Sequence, residues 1–156
     1  YVPTHLAVDA AGNVYVADLS NHRIRKITPG AFVTTLAGPS GTSLDSGYAD
    51  GTGTAARFNQ PLGVAVDSAG YVYVTESGGT FFGVRRVSPG GVVSTVAGAE
   101  SAVYPEADGP GSSAGFYTTQ GICADGAGLS LVDALPSVLS LFGIDPPASL
   151  DGKNRF

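Results

Sequence analysis

The chain of 156 residues contains no tryptophan, no methionine and a single cysteine, and charged residues make up only 13% of it. Eight Lys and Arg stand against thirteen Asp and Glu, which gives a formal net charge of −5. This balance argues against a nucleic-acid-binding surface, because such surfaces depend on clustered Lys and Arg. No apolar stretch has the length of a membrane-spanning helix, so we expect no membrane partner.

What the sequence does contain is a repeated unit, which is clearest between Pro61 and Gly98. Turn-forming residues punctuate it: Asp67-Ser68-Ala69-Gly70 predicts a type I turn and Ser88-Pro89-Gly90-Gly91 a type II turn. Tight turns between consecutive strands predict an antiparallel meander, because parallel pairing needs a crossover of about a dozen residues or more. The four predicted strands, each rich in valine, are Gly63–Val66, Val72–Thr75, Val84–Val87 and Val92–Ala97.

The unit recurs on both sides of this stretch. Asp9, Asp67 and Asp125 follow one another at equal intervals of 58 residues. After the second strand the offset grows by two residues, which predicts a two-residue insertion in the loop Glu76–Gly83. We therefore divide the chain into a first repeat with its linker (1–60), a second with its linker (61–118), an incomplete third (119–133) and a divergent tail (134–156).

A four-stranded antiparallel sheet repeated at this spacing is typical of a β-propeller. The motif Pro-x-Gly-Val-Ala-Val-Asp-x-x-Gly-x-Val-Tyr-Val, followed in the first repeat by residues 21–27 (NHRIRKI), resembles the NHL-repeat propeller family over residues 3–133. The absence of tryptophan separates it from WD40 blades. We predict an all-β fold, a partial β-propeller of four-stranded antiparallel NHL-type blades. Since a closed propeller needs at least about four blades and the chain lacks methionine, we expect a piece of a longer protein.

Recurring charges and the cysteine are interpreted as parts of the scaffold. Arg25-Lys26 and Arg85-Arg86 occupy equivalent places in the third strand, where Asp18 and Glu76 on the second strand are predicted to pair with them. Cys123 aligns with alanines of the other repeats, which predicts a small apolar residue in place of a reactive thiol.

Candidate binding residues are those that break the repeat. His5 stands where the later repeats have glycine, so it either faces the channel as a ligand- or metal-binding group or is neutral drift. Asn21, His22 and Arg23 form the tripeptide region that gives the family its name, with Arg in place of Leu. The second repeat has Phe81 and Phe82 there, which suit a protein contact, although one ring could equally tuck against the next blade. We predict no catalytic residue, no metal site and no cofactor.

The leading functional prediction is a non-catalytic scaffold that binds a protein, peptide or glycan through its loop face. The resemblance implies two alternatives: a six-bladed metal-dependent enzyme of the lactonase or peptidyl-hydroxyglycine lyase type, and an RNA-binding domain like those of TRIM-type NHL proteins. It also favours an extracellular or cell-surface location. Because two blades and a degraded third leave apolar faces uncovered, we expect them to be covered by the remaining blades of the parent chain or by self-association.

Overall fold

The computed structural model describes residues 2–42, 44–79, 81–98, 108–111, 113–125 and 128–130. Its regular elements are strands and two short 3-10 turns, Leu19–Asn21 and Gly53–Ala55. No helix in these ranges is long and apolar enough to span a membrane. The predicted tail, 134–156, lies outside the described residues. The strands are β1 (Pro3–Val8), β2 (Val14–Asp18), β3 (Arg23–Ile27), β4 (Val33–Ala37), β5 (Gly51–Thr52), β6 (Pro61–Val66), β7 (Val72–Gly78), β8 (Phe81–Val87), β9 (Val92–Ala97), β10 (Cys123–Asp125) and β11 (Gly128–Ser130).

The strands form two complete blades and the start of a third. The first sheet has the order β1-β2-β3-β4, and the second has the order β5-β9-β8-β7-β6. All neighbouring strands are antiparallel, which confirms the predicted meander. The short strand β5 comes from the linker after the first blade and pairs with β9, so the linker adds a fifth strand to the second blade. β10 and β11 pair as the first hairpin of the third repeat.

The turns between first and second strands follow from their aspartates. Asp67 Oδ1 accepts hydrogen bonds from the backbone N–H groups of Ala69 and Tyr71, both at 2.9 Å. Gly70 closes the turn with φ 81° and donates its N–H to the Asp67 carbonyl at 3.0 Å. The prediction for this turn is confirmed.

The prediction of a type II turn at Ser88-Pro89-Gly90-Gly91 is wrong. A type II turn needs positive φ at the third residue, but it is the fourth residue, Gly91, that has φ 81°. Gly91 donates its N–H to the Ser88 carbonyl at 2.8 Å and leads directly into β9. In the first blade Ala31 stands at the same position with φ 60°. The left-handed residue therefore re-aims the chain into the fourth strand.

The predicted insertion in Glu76–Gly83 lengthens a hairpin and does not form a loop. Glu76 pairs with Gly83, Ser77 with Phe82 and Gly78 with Phe81, so β7 and β8 continue almost to the turn. The first blade has the 3-10 turn Leu19–Asn21 at this place. The two extra residues let β7 and β8 pair as far as Gly78 and Phe81. Hydrogen bonds between these strands stand where the first blade has its 3-10 turn.

The main core lies between the first and second blades. The first blade supplies a tyrosine, an isoleucine and two alanines, the second supplies valines, and the linker adds an alanine and a phenylalanine. The buried members are Tyr15, Ala17, Ile24, Ala37, Ala56, Phe58, Val64, Val72, Val74, Val87 and Val93. A second core joins the far side of the second blade to the third repeat through Ala65, Tyr73, Val84, Ala114 and Ile122. Each complete blade is thus apolar on both faces, as expected for propeller blades.

Gly98 offers a test of the blade edge. It has φ 99°, and a Cβ added there would collide with the Phe82 carbonyl oxygen and approach the Gly83 Cα to 2.6 Å. We expect Gly98→Ala to lower the free energy of unfolding by about 2 kcal/mol or more, because strain and the clash act together. Gly90→Ala is the matched control, since its Cβ would meet nothing closer than 3.9 Å. Equal effects of the two variants in urea unfolding would contradict this account.

Candidate functional site

The loop face is the end of the blades where the β2–β3 and β7–β8 connections meet the linker that joins the blades. Pro61, at the end of this linker, pairs with Glu76 near the end of β7. Gly38, at its start, lies so close to the first blade that an added Cβ would be 2.7 Å from the His22 carbonyl oxygen. Five of the six predicted binding residues, at 21, 22, 23, 81 and 82, lie in or beside these connections.

Asn21 and Arg23 hold the scaffold together and are not available to a partner. Asn21 is buried and donates from Nδ2 to Asp18 Oδ1 at 2.7 Å. Arg23 is buried and donates from Nη1 to the Gly41 carbonyl at 3.0 Å, while its Nε lies 3.5 Å from Asp18 Oδ2. These bonds fix the β2–β3 turn and the first residues of the linker. The prediction that both side chains form a binding surface is corrected by their burial.

His22 forms a link between the blades. It ends the 3-10 turn with φ 53°, and its Nδ1 accepts a hydrogen bond from the Gln60 N–H at 3.1 Å. Burial lowers the pKa of His22, which favours the neutral ring that this bond requires. With Nδ1 as acceptor, the ring carries its proton on Nε2. His22 is half-buried, and its Nε2–H is the donor it retains for other contacts.

The prediction that Phe81 is an exposed anchor is wrong. Its side chain is only 3% exposed, and its ring lies 5.2 Å from that of Tyr48 in the linker. Tyr48 donates its hydroxyl to the Gly78 carbonyl at 3.0 Å, which fastens the linker over the ring. Successive side chains of a strand point to opposite faces, so Phe82 lies on the other side and is half-buried.

His5 also links the two blades. Its Nδ1 accepts a hydrogen bond from the Val64 N–H at 3.0 Å, although the residue is otherwise exposed. In the second blade Thr75 takes over this role: its Oγ1 accepts from the Gly63 N–H at 2.9 Å and donates to the Gln120 carbonyl at 2.8 Å. The first blade has His5 and Ala17 at the two positions where the second blade has Gly63 and Thr75. In each blade one of the two positions thus carries a hydrogen-bonding side chain and the other a small residue.

This bond limits what His5 can coordinate. Because Nδ1 accepts, the neutral ring holds its proton on Nε2, which leaves a hydrogen-bond donor and no lone pair for a metal. Over the described ranges, no three His, Cys, Asp or Glu side chains are grouped so that they could hold a metal ion. The arrangement around His5 suits a hydrogen bond to a carbonyl or an anion.

The strongest polar cluster in the described chain surrounds Arg85. Its guanidinium is fully buried and donates to Glu76 Oε2 at 3.0 Å and to Asp50 Oδ1 of the linker at 2.5 Å. The rings of Phe58 and Phe81 lie 5.4 and 5.9 Å from the guanidinium carbon. We call these five residues the Arg85 cluster. Asp50 Oδ2 also accepts from the Thr95 N–H at 3.1 Å, which ties the linker to the outer edge of the second blade.

The predicted pairing of strand arginines with Asp18 and Glu76 is confirmed, with different strength in the two blades. Arg25 Nη1 lies 3.9 Å from Asp18 Oδ2, and the arginine side chain is 31% exposed. The role of Asp50 was not predicted from the sequence. The recurrence of Asp50-Gly51 as Asp108-Gly109, once in each linker, was the signal available in the sequence.

Comparisons with known proteins agree with this architecture. A family model of the NHL repeat matches residues 1–27, which span β1 to β3. A structural genomics protein of unknown function from Bacteroides thetaiotaomicron VPI-5482 is 29% identical, and the match covers 80% of this chain and 30% of that chain with a TM-score of 0.64. An auxiliary nutrient binding protein from the same organism is 18% identical, with coverages of 78% and 32% and a TM-score of 0.55. No curated protein matches the chain in sequence.

The described part of the chain is all-β and forms propeller-like blades. Residues 1–27 match the NHL repeat, and the two antiparallel meanders have the strand order of propeller blades. The chain spans 30–32% of the length of these solved proteins. Their similarity therefore describes the fold, and the activity of the whole protein is a separate question.

The linker aspartate gives a first test of the Arg85 cluster. We expect Asp50→Asn to lower the free energy of unfolding by about 1–2 kcal/mol, because it weakens charge-assisted hydrogen bonds to a buried guanidinium. Asp45→Asn is the matched control in the same linker, since Asp45 is 71% exposed and lies 3.9 Å from Arg57; it should cost less than about 0.5 kcal/mol. Chemical denaturation measures both, and a small loss in Asp50→Asn would contradict the assignment.

Glu76 should make stability depend on pH. Burial raises its pKa from the ordinary 4.5 to about 7, against the opposing effect of Arg85. Between these values the folded chain holds a proton that the unfolded chain has released, so this group's contribution to stability falls as pH rises. We expect the stability of the wild type relative to Glu76→Gln to fall by on the order of 3 kcal/mol from pH 4.5 to pH 7.

Urea unfolding of both proteins at each pH measures this difference. Comparing the two proteins cancels the contributions of other groups whose stability effect rises with pH. Asp9 is such a group, because hydrogen bonds, first from Asn13, lower its pKa. The comparison also cancels His22, whose pKa is lowered by burial. A constant difference across the window would show that Glu76 keeps its ordinary pKa in the folded chain.

Proposed function

We propose that this segment is a non-catalytic interaction scaffold that binds a protein or peptide partner through its loop face. The observation that carries the proposal is where the exposed apolar side chains of the linkers lie. Leu44 and Tyr117 are 52% and 62% exposed. Leu44 lies four residues before Tyr48, whose hydroxyl donates to the Gly78 carbonyl. Tyr117 lies two residues before Thr119, whose hydroxyl donates to the Glu76 carbonyl. Both linker segments are therefore fastened to the β7–β8 hairpin close to these side chains.

The recurring polar residues of the repeat are already engaged in the scaffold. Asp9 and Asp67 close turns, and Arg85 lies in its cluster. Other positions at this end differ between copies: Tyr117 stands at the position of Asn59, and Phe82 at the position of His22. Variable side chains on a repeated scaffold are where specificity is expected.

The proposal assigns no catalytic or RNA-binding role. Three of the basic residues on β3 and β8 have internal partners: Lys26 Nζ lies 5.5 Å from the centre of the Tyr15 ring, Arg86 lies over Tyr71 at 5.2 Å, and Arg85 is buried. Cations held in this way, in a chain of net charge −5, do not form the continuous basic patch that a phosphate backbone requires. These observations support binding of a peptide surface with apolar and hydrogen-bonding groups.

A random-peptide phage library, selected on the immobilised chain, tests the proposal. We expect enriched peptides whose affinity falls at least about tenfold in the double variant Leu44→Ser, Tyr117→Ser, because the apolar contacts are lost. Phe32→Ser is the control, since Phe32 is 70% exposed but lies in the β3–β4 turn at the opposite end of the blade. Failure to enrich any peptide, or equal losses in the control, would contradict the proposal.

A further inference from the structure

The linker between the two blades ends in a strained residue, Gln60. Its φ is 52°, in the left-handed region that residues other than glycine seldom adopt. The Gln60 N–H donates to His22 Nδ1 at 3.1 Å, and the preceding N–H, that of Asn59, donates to Glu76 Oε1 at 2.9 Å. We call these four residues the linker latch. It holds the linker to the first blade through His22 and to the second blade through Glu76.

The two acceptors of the latch respond differently to a proton. A protonated carboxyl group keeps an oxygen that accepts hydrogen bonds, so Glu76 can hold the Asn59 N–H in either state. An imidazolium ion donates from both of its nitrogens, so protonated His22 has no acceptor for the Gln60 N–H. The hydrogen bond then becomes a contact between two donors. Because Gln60 is exposed, water can take over its N–H.

The charged and titratable groups on the elements packed around His22 have partners of their own in the scaffold. They are Asp18 and Arg23 on its own connection, His5 on β1, Glu76 and Arg85 on the second blade, and Asp45 and Arg57 on the linker. Burial is the cause of the lowered pKa of His22. Its bond therefore contributes fully above the ordinary histidine pKa of 6.5 and is lost as pH falls below it.

The latch also fixes the cover over Phe81. Asn59 Nδ2 donates to the Tyr48 hydroxyl at 3.2 Å, and the Tyr48 ring lies 5.2 Å from the buried ring of Phe81. Rotation about φ of Gln60 turns the peptide bond that joins it to Asn59. If Gln60 relaxes from its strained conformation, the Asn59 side chain therefore moves relative to the Tyr48 hydroxyl.

We propose that the linker latch is a pH-sensitive switch, in which protonation of His22 releases the Gln60 N–H and lets the Tyr48 ring move off Phe81. Strain at Gln60 favours the release, because a left-handed residue persists only where its surroundings hold it. An apolar ring of the loop face is covered at neutral pH and uncovered in acid. The switch does not use Leu44 or Tyr117 and does not depend on the proposed function.

The interface between the second blade and the third repeat supplies an internal comparison. Phe82 stands at the position of His22, and Thr118 stands at the position of Gln60. A phenylalanine ring has neither an acceptor nitrogen nor a proton to gain. The switch therefore belongs to the first interface, and the Thr118 N–H is a reference within the same molecule.

Amide hydrogen exchange of the complete chain, followed by NMR from pH 7.5 to pH 5, tests the proposal. Each rate is divided by the intrinsic rate at the same pH. We expect the protection of the Gln60 N–H to fall at least about tenfold, since exchange reports local opening, while that of Thr118 stays constant. The nuclear Overhauser contact between the Tyr48 and Phe81 rings should be lost over the same range. Constant protection of Gln60, or a ring contact that persists at pH 5, would overturn the proposal.

Two variants at position 22 assign the effect to the imidazole. Asparagine and glycine both tolerate the φ of 53° found there. His22→Asn keeps an acceptor that does not titrate, so Gln60 should stay protected at both pH values. His22→Gly has no acceptor, so Gln60 should exchange rapidly at both. A fall in protection that persists in His22→Asn would contradict the assignment.

Two further variants exclude the other titratable groups of the interface. His5→Asn changes the histidine that accepts the Val64 N–H at the opposite end of the interface. Glu76→Gln removes the carboxyl group that titrates near pH 7. The fall at Gln60 should survive in both variants, since each retains His22. Its disappearance in either one would show that His22 is not the switch.

Discussion

The packing of one blade on the next depends on a buried guanidinium. Arg85 is enclosed by a strand carboxylate, a linker carboxylate and two aromatic rings. A buried charge is tolerated only when its partners satisfy it, and here one partner belongs to the blade and the other to the linker. The linker must therefore follow one path, along β9 and back under Tyr48, for the charge to be neutralised. The Nε of Arg85 has no hydrogen-bond partner among the described residues, so the cluster favours a defined geometry over maximum stability.

The inner ends of the blades are joined by weaker, interchangeable links. His5 in the first blade accepts the Val64 N–H of the second blade through an imidazole nitrogen, and Thr75 in the second blade donates its hydroxyl to the Gln120 carbonyl of the third repeat. The two blades fill the same space with different pairs of residues: His5 with Ala17 in the first blade, and Gly63 with Thr75 in the second. A repeat protein tolerates this kind of change because each interface is stabilised by its neighbours alone. At position 5 the histidine that interrupts the repeat accepts this hydrogen bond from the next blade.

Strand order and the aspartate turns could be predicted because their causes are local. Valine runs, a turn aspartate and a glycine with positive φ act within a few residues, and their recurrence at 58-residue intervals repeats the same signal. The type of the turn at Ser88–Gly91 was harder to predict. Either Gly90 or Gly91 could take the left-handed conformation, and the strand that follows decides between them. The pairing of Arg85 with Glu76 was also accessible, since residues on adjacent strands of a meander lie opposite or diagonal to each other.

The sequence by itself determined the class of fold, the number of complete blades and the scaffold role of the recurring charges. Only the tertiary structure decided which side chains of the loop face are available. Phe81, Asn21 and Arg23 were expected at the surface because they lie in or beside a connection, yet all three are buried. Phe81 packs against Tyr48, and Arg23 bonds to the start of the linker. The contact between Asp50 and Arg85 joins residues 35 positions apart. Its existence depends on how a long linker folds back over a blade, and nothing in the local pattern of residues sets that path.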